Sequence, residues 1–183
     1  RALATSASTI YVAGSFDHIS GESRDGLAAL DTAAAATAWA PQVTGQVLTI
    51  AAATDDSTIY VAGTVQDVQG TTRNGVAAFS GNGALTTWNP DPDGAIYSLA
   101  LVGDAVILGG EQRGVAGVSR SRLAEFSNIG YITSWNPGAN DDVNVLVAGS
   151  GVLAGGAFTM IGGVARNRIA SIKDDGTLNA FNP

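Results

Sequence analysis

Short apolar runs recur along the whole chain, each bounded by Gly, Asn, Asp or Pro. Ile10–Gly14 reads IYVAG and Ile59–Gly63 reads IYVAG again; VILGG from Val106 and VLAGG from Val152 hold the same place later on. Runs this short and this rich in β-branched and aromatic residues predict strands rather than helices. The starts Ile10, Ile59, Val106 and Val152 are separated by 49, 47 and 46 residues. Arg24, Arg73, Arg120 and Arg166 keep the same three intervals, and so do Trp39, Trp88, Trp135 and Phe181. Three landmarks moving in step indicate internal repetition.

Each start lies 29 residues before its aromatic, whereas the gaps from aromatic to next start are 20, 18 and 17. Length variation therefore sits in one loop per repeat, because a buried strand cannot change register without turning its faces over. Every repeat offers four strand-like runs. The first is the opening run; the second follows the Arg (GLAAL, GVAAF, RLAEF, RIASI); the third carries the aromatic (ATAWAP, LTTWNP, ITSWNP, LNAFNP); and the fourth is VLTIAA, IYSLAL or VNVLVA. Four strands in about 40–50 residues is the pattern of a β-propeller blade. The expected fold is all-β, a single domain or propeller fragment over residues 1–183, with four-stranded antiparallel blades. Ala33–Ala36 has helical propensity, but its counterparts SGNGAL, SNIGYI and KDDGTL are turn sequences, so a turn is predicted.

The fourth repeat stops at FNP, and the N-terminal Ala2–Thr5 resembles the fourth runs. Ala2–Thr5 is thus a candidate to complete the last blade, which would remove an exposed edge; the same phase also fits four repeats cut from a longer array. The start at Arg1, without Met or a signal pattern, reads as a mature or excised piece.

Net charge of −7, with one Lys and eight Arg, disfavours nucleic acid as a partner. No apolar run approaches the roughly 20 residues of a membrane helix, so membrane insertion is not expected. The absence of Cys excludes disulfides and thiolate metal sites.

The stretch YVAGSF through SRDGLAALD, with TWNPDPDGAIYSLAL and Val152–Pro183, resembles the delta-60 repeat (kelch-like) bacterial β-propeller proteins. The resemblance spans essentially the whole chain. It implies an extracellular or cell-surface propeller and carries no catalytic residues, because the shared motif is structural. The chain departs from the pattern at APQ in the first repeat, at the alanines that replace its Asp-Gly turn, and at GGEQRG in the third, where GGxF is expected.

Arg24, Arg73, Arg120 and Arg166 can form a guanidinium ring that clasps a carboxylate or sulfate, or can bond backbone carbonyls or a neighbouring Asp; a feature in every repeat favours the structural role. Arg122 and Arg168 occur in two repeats only and read as surface residues. Trp39, Trp88, Trp135 and Phe181 suit sugar stacking or packing between blades, and their fixed spacing favours packing. Asp91, Asp93, Asp141 and Asp142, with Asp55 and Asp56, offer loop oxygens of the type Ca²⁺ takes, against solvated turns that cap strands. No other cofactor is expected. His18 stands without Cys or clustered acids and reads as a polar turn residue. The Gly pairs Gly109-Gly110, Gly155-Gly156 and Gly162-Gly163 precede no helix and read as turn and packing glycines rather than phosphate loops.

The leading functional expectation is a non-catalytic structural or binding module. Its variable loops at 40–47, 89–95 and 136–143 would meet a protein or glycan, or a second copy in self-assembly. The alternative is a kelch-like oxidase or lyase with a site at the channel mouth. That would need converging titratable groups, and Tyr11, Tyr60, Tyr97 and Tyr131 fall on different parts of the pattern.

Overall fold

A computed structural model describes Arg1–Pro183 apart from Ala7. The described residues form no helix; they form four main antiparallel three-stranded sheets, a fifth small one in which Val43–Thr44 joins Asp67–Val68 and Thr71–Thr72, and three two-stranded hairpins. The first sheet joins Ala2–Thr5, Ile10–Ala13 and Leu27–Leu30, and the second joins Val47–Ala52, Thr58–Gly63 and Val76–Ser80. The third joins Ile96–Val102, Ala105–Gly110 and Leu123–Ser127, and the fourth joins Val143–Gly149, Gly151–Gly156 and Ile169–Ile172. In each sheet the strand that is central in sequence is also central in space. The chain divides into two compact units, Arg1–Asn89 with the first two sheets and Pro90–Pro183 with the last two.

The run that ends one repeat pairs with the strand that opens the next. Ile50 faces Val61, Leu99 faces Leu108 and Leu146 faces Ala154 in register. Ala2–Thr5 follows the same rule and pairs with Ile10–Ala13, so it belongs to the first sheet and does not complete the last one. The reason is local: the partners are joined by short turns, and closing a short loop costs less chain entropy than bringing distant segments together. The aromatic-bearing run is the slight member of each blade. It meets the second strand through one bridge, at Leu30–Ala36, Phe79–Leu85, Phe126–Ile132 or Ile172–Leu178. A Pro soon after each aromatic removes a ladder donor and stops the pairing there.

A feature that the apolar pattern did not show is a two-stranded hairpin between the first and second strands of every blade. These hairpins pair His18–Ile19 with Glu22–Ser23, Asp67–Val68 with Thr71–Thr72, Gly114–Val115 with Val118–Ser119, and Met160–Ile161 with Val164–Ala165. Their central residues, such as Gln69 and Gly70 at φ 52° and 82°, are successive left-handed positions, the geometry that matches strand twist in a two-residue hairpin. Residues 32–34 form the turn that equivalence predicts, with Ala34 at φ 62° where Gly83 and Gly176 adopt 85° and 83°.

Each unit has its own core. Tyr11, Trp39, Val47, Ile50, Ile59 and Phe79 lie together in the first, and Ile107, Trp135, Val143, Leu146, Phe158 and Ile172 in the second. One buried residue breaks the apolar rule. Gln112 is fully buried and neither end of its amide has a hydrogen-bond partner, whereas Phe16, Val65 and Phe158 occupy the same place after the opening strand in the other blades. A buried amide without partners costs about 1–3 kcal/mol by mutational measure. Gln112→Leu, close in volume, is therefore expected to stabilise the protein by about 2 kcal/mol and to raise Tm by about 4–8 °C. Thermal unfolding followed by circular dichroism checks this, and an unchanged or lower Tm contradicts it.

Candidate functional site

The four repeated arginines do one job each, inside their own blade. Arg24 donates through NH1 to the Ser23 carbonyl at 2.7 Å and through NH2 to the Thr37 carbonyl at 2.7 Å. Arg73 reaches Thr72 and Thr86 at 3.0 and 3.1 Å, and Arg120 reaches Ser119 and Thr133 at 3.0 and 2.8 Å. Arg166 reaches Ala165 and Asn179 at 3.0 and 3.4 Å. The planar fork suits this, because its parallel donors span two carbonyls that a single ammonium cannot. The acceptors lie one residue back and 13 residues ahead, so each Arg ties the short hairpin to the aromatic-bearing run. Two donors of each guanidinium are thus committed to carbonyls of its own blade.

The acceptor Thr then sets the aromatic. The backbone N–H of Trp39, Trp88 and Trp135 donates to the hydroxyl of Thr37, Thr86 and Thr133 at 3.2, 3.3 and 3.1 Å. All three indoles are buried. Trp39 meets Tyr11 and Phe79 edge-on, with ring centroids 5.1 and 5.9 Å apart, and lies against the turn at Gly83 of the second sheet. Trp88 meets Tyr60 edge-on at 5.0 Å. Trp135 donates to the Lys173 carbonyl at 3.3 Å and lies against the turn at Gly176 of the fourth sheet. Phe181 differs: it is exposed.

The candidate Ca²⁺ ligands are separated by backbone and arginine contacts. Asp93 Oδ1 accepts the N–H groups of Arg113 and Gly114 at 2.7 and 3.0 Å. Partial desolvation opposes ionisation of Asp93, but those donors and the Arg113 charge outweigh it and hold the carboxyl below its ordinary value. Asp141 accepts the N–H of Asp142, and Asp142 pairs with Arg122 Nε at 3.3 Å. Arg122 also donates to the Glu111 carbonyl, so it is an internal cross-link rather than a surface residue; Arg168 is exposed. Asp91 does not line the groove that Asp93, Asp141 and Asp142 share, and contributes a carbonyl to Ala116 N–H at 3.2 Å. Asp55 caps Ser57 N–H, and Asp56 accepts the Tyr11 hydroxyl at 2.9 Å. Burial and the Asp56 carboxylate push the Tyr11 phenol up to about 12. His18 lies exposed, with Nδ1 3.2 Å from Asp17. Among the described residues no three acidic or His side chains converge as metal ligands.

What the structure does gather is a groove in each unit at the junction of consecutive sheets. In the second unit a 430 Å³ open groove is lined by Asp93, Glu111, Arg113, Arg122, Asp141 and Asp142. Glu111 accepts the Ala95 N–H at 3.1 Å and the Tyr97 hydroxyl at 2.8 Å. The Tyr97 bond leads the effects that hold the Glu111 carboxyl below its ordinary value, and the same bond, with desolvation, pushes the Tyr97 phenol up to about 12. In the first unit a 260 Å³ groove takes the same place, with Ser15, Gly26, Gly45 and Gln46 where the other has Glu111, Arg122, Asp141 and Asp142. Glu111 and Arg113 were not singled out from sequence, although they sit in GGEQRG, the departure from the motif.

Arg120→Ala removes two charge-assisted bonds and strands the Thr133 carbonyl, an expected loss of about 1.5–3 kcal/mol in a urea unfolding measurement. Lys at that position should recover little, since it lacks the fork. Glu111 has a depressed folded pKa, so its contribution to stability is complete above the ordinary carboxylate range and is lost as pH falls through the folded value. Tyr97→Phe should move the Glu111 carboxyl upward in an NMR titration and weaken the loss of stability on acidification; an unmoved carboxyl contradicts the assignment.

A family model described as "Domain of unknown function (DUF5122) beta-propeller" matches residues 150–181. Comparison with curated proteins gave no match. With all described structure in small antiparallel sheets of one repeated order, the fold class is all-β, of the β-propeller type.

Proposed function

We propose that the chain is a non-catalytic binding module of an extracellular or cell-surface protein, of the delta-60 repeat, kelch-like kind found in bacteria, and that its loop grooves contact a protein or a glycan. The observation that carries this reading is the pair of equivalent grooves. Equivalent positions of two blades fixed by the same arginine bonds present Ser15 and Gln46 in one unit and Glu111 and Asp142 in the other. A constant frame with changing groove chemistry is how rigid scaffolds acquire binding specificity. The carboxylates of the charged groove are engaged by backbone N–H groups, Tyr97 or Arg122, which favours an orienting, preorganised surface over a proton-transfer site.

The test is binding of the purified chain to a printed array of neutral and acidic oligosaccharides and to an array of secreted proteins. Retention on one of them is expected, weakened about tenfold by Arg113→Ala or Asp141→Asn, the loss of roughly one good polar contact. Both variants should keep the wild-type Tm. No retention on either array overturns the proposal.

A further inference from the structure

The turn from the second strand into the aromatic-bearing run is built alike in the second and fourth blades. Residues 80–84 read SGNGA and residues 173–177 read KDDGT. In the first of these turns the Gly83 N–H donates to the Ser80 carbonyl at 2.8 Å and the Ser80 N–H to the Ala84 carbonyl at 2.9 Å. Gly176 and Lys173 make the matching bonds to Lys173 and Thr177, at 2.9 and 2.8 Å. Asn82 therefore stands where the fourth blade has Asp175. Its Oδ1 accepts the Ala84 N–H at 3.2 Å, as Asp175 Oδ1 accepts the Thr177 N–H at 2.9 Å. The Ser80 hydroxyl donates to the same Asn82 oxygen at 2.6 Å and also lies 3.1 Å from the Ala84 carbonyl.

Two Asn-Gly pairs occur in the chain, Asn74-Gly75 and Asn82-Gly83. A glycine has no side chain to obstruct its own nitrogen, so either nitrogen is sterically free to attack the amide carbon of the preceding Asn. The fold separates the two. Gly75 is buried, its N–H donates to the Val65 carbonyl at 2.9 Å, and its carbonyl accepts the Gly63 N–H at 2.9 Å. That nitrogen is freed only when the edge of the second sheet opens. Asn82 is exposed, and the Gly83 nitrogen is held by the one turn bond to Ser80. A surface turn opens at far lower free energy than a buried strand.

We propose that Asn82-Gly83 is a self-modifying site, at which the Asn82 amide is lost through a cyclic imide while the Ser80 hydroxyl and the Ala84 N–H stabilise the charge developing on Oδ1. Hydroxide takes the Gly83 amide proton, and the nitrogen attacks Asn82 Cγ. The new C–N bond sends an electron pair onto Oδ1, where the two donors already point. Collapse of that intermediate expels Nδ2, which takes a proton from water and leaves as ammonia. Water then opens the imide. Cleavage at the Cγ side leaves aspartate at position 82, and cleavage at the main-chain carbonyl leaves isoaspartate. Water is the only reagent consumed.

The two products differ in what they do to the first unit. The fourth blade shows that this turn holds a carboxylate: the Thr177 hydroxyl and N–H keep the Asp175 carboxyl below its ordinary value. The same ionisation makes Asp175 a poor target for attack by Gly176, so the fourth turn does not follow this course. Isoaspartate instead lengthens the main chain by one methylene next to Gly83. A Cβ on Gly83 would lie 3.4 Å from Trp39 Cδ1, so the turn rests on the indole with no room to spare. The isoaspartyl product thus loosens the cover of Trp39. This inference is independent of the binding reading and uses none of the groove residues.

Incubation of the folded chain in mildly alkaline buffer, followed by peptide mapping with tandem mass spectrometry, tests it. Asn82 should convert about tenfold faster than Asn74, the selectivity of a surface turn over a strand held in a sheet. In urea the two should convert at similar rates, because each is followed by Gly and the fold no longer distinguishes them. Each conversion to aspartate adds one negative charge to the −7 of the chain, which isoelectric focusing resolves. Ser80→Ala, with folding verified by far-UV dichroism, should slow the reaction at Asn82 about tenfold by removing an oxyanion donor. Asn82→Asp reproduces the aspartyl product and should keep the wild-type Tm, whereas the isoaspartyl fraction should show red-shifted tryptophan emission. A folded chain in which Asn82 stays intact or converts no faster than Asn74, or a Ser80→Ala variant that reacts as fast as the wild type, overturns the proposal. Failure on the arrays leaves these rates unaffected, so the two readings fail separately.

Discussion

The forked bond of one arginine to two carbonyls is the constraint on which each blade depends. Arg120 holds its own hairpin through Ser119 and the aromatic-bearing run through Thr133. That run has only a single bridge to the sheet, at Phe126–Ile132, so it lacks the ladder that fixes an ordinary strand. The guanidinium supplies the missing restraint. Thr133 then accepts the Trp135 N–H on its hydroxyl, which places the indole against the next sheet. A bond formed 13 residues away thus fixes the side chain that joins neighbouring sheets. This explains why the segment from opening strand to aromatic keeps one length throughout, while the loop after the aromatic changes. The arrangement has a cost, since Nε of Arg24, Arg73, Arg120 and Arg166 is buried without a partner. Two charge-assisted bonds per arginine, each about 1.5–3 kcal/mol, outweigh one unsatisfied donor.

Much of this was legible in the sequence, and the limits have physical causes. Spacing alone located the four strand sets, because burial on both faces leaves dense apolar runs such as IYVAG and VILGG. The hairpins at Asp67–Thr72 and its equivalents escaped notice because they are two residues long on each side, too short for any period to register. The partner of Ala2–Thr5 is not legible in sequence because strands that resemble one another carry no label for their partner; turn length decides it. The place of Arg122 is hidden for a related reason. Its role depends on Asp142, which arrives from the next sheet, and no local pattern links the two. The aspartates looked like ligands in loops, and they became caps and pairs once backbone N–H groups approached them.

The division between invariant and variable residues follows from the same bonds. Every position that the arginine clip or the indole touches is restrained by backbone geometry, so changing it disturbs a whole blade. The grooves at the sheet junctions are built on that restrained frame outside the arginine clip, which leaves Ser15 and Glu111, or Gln46 and Asp142, free to differ. In the charged groove the acids are preorganised at little entropic cost, because Tyr97, Arg122 and backbone donors already fix them.

Stacked sheets of this kind draw their stability from nearest-neighbour contacts, so no sheet is stable by its own ladder alone. Trp39 and Trp135 are buried because a following sheet lies over them, whereas Phe181 at the equivalent position is exposed. Val145, Val147 and Leu153 on the fourth sheet and Leu3 on the first are apolar side chains at exposed positions.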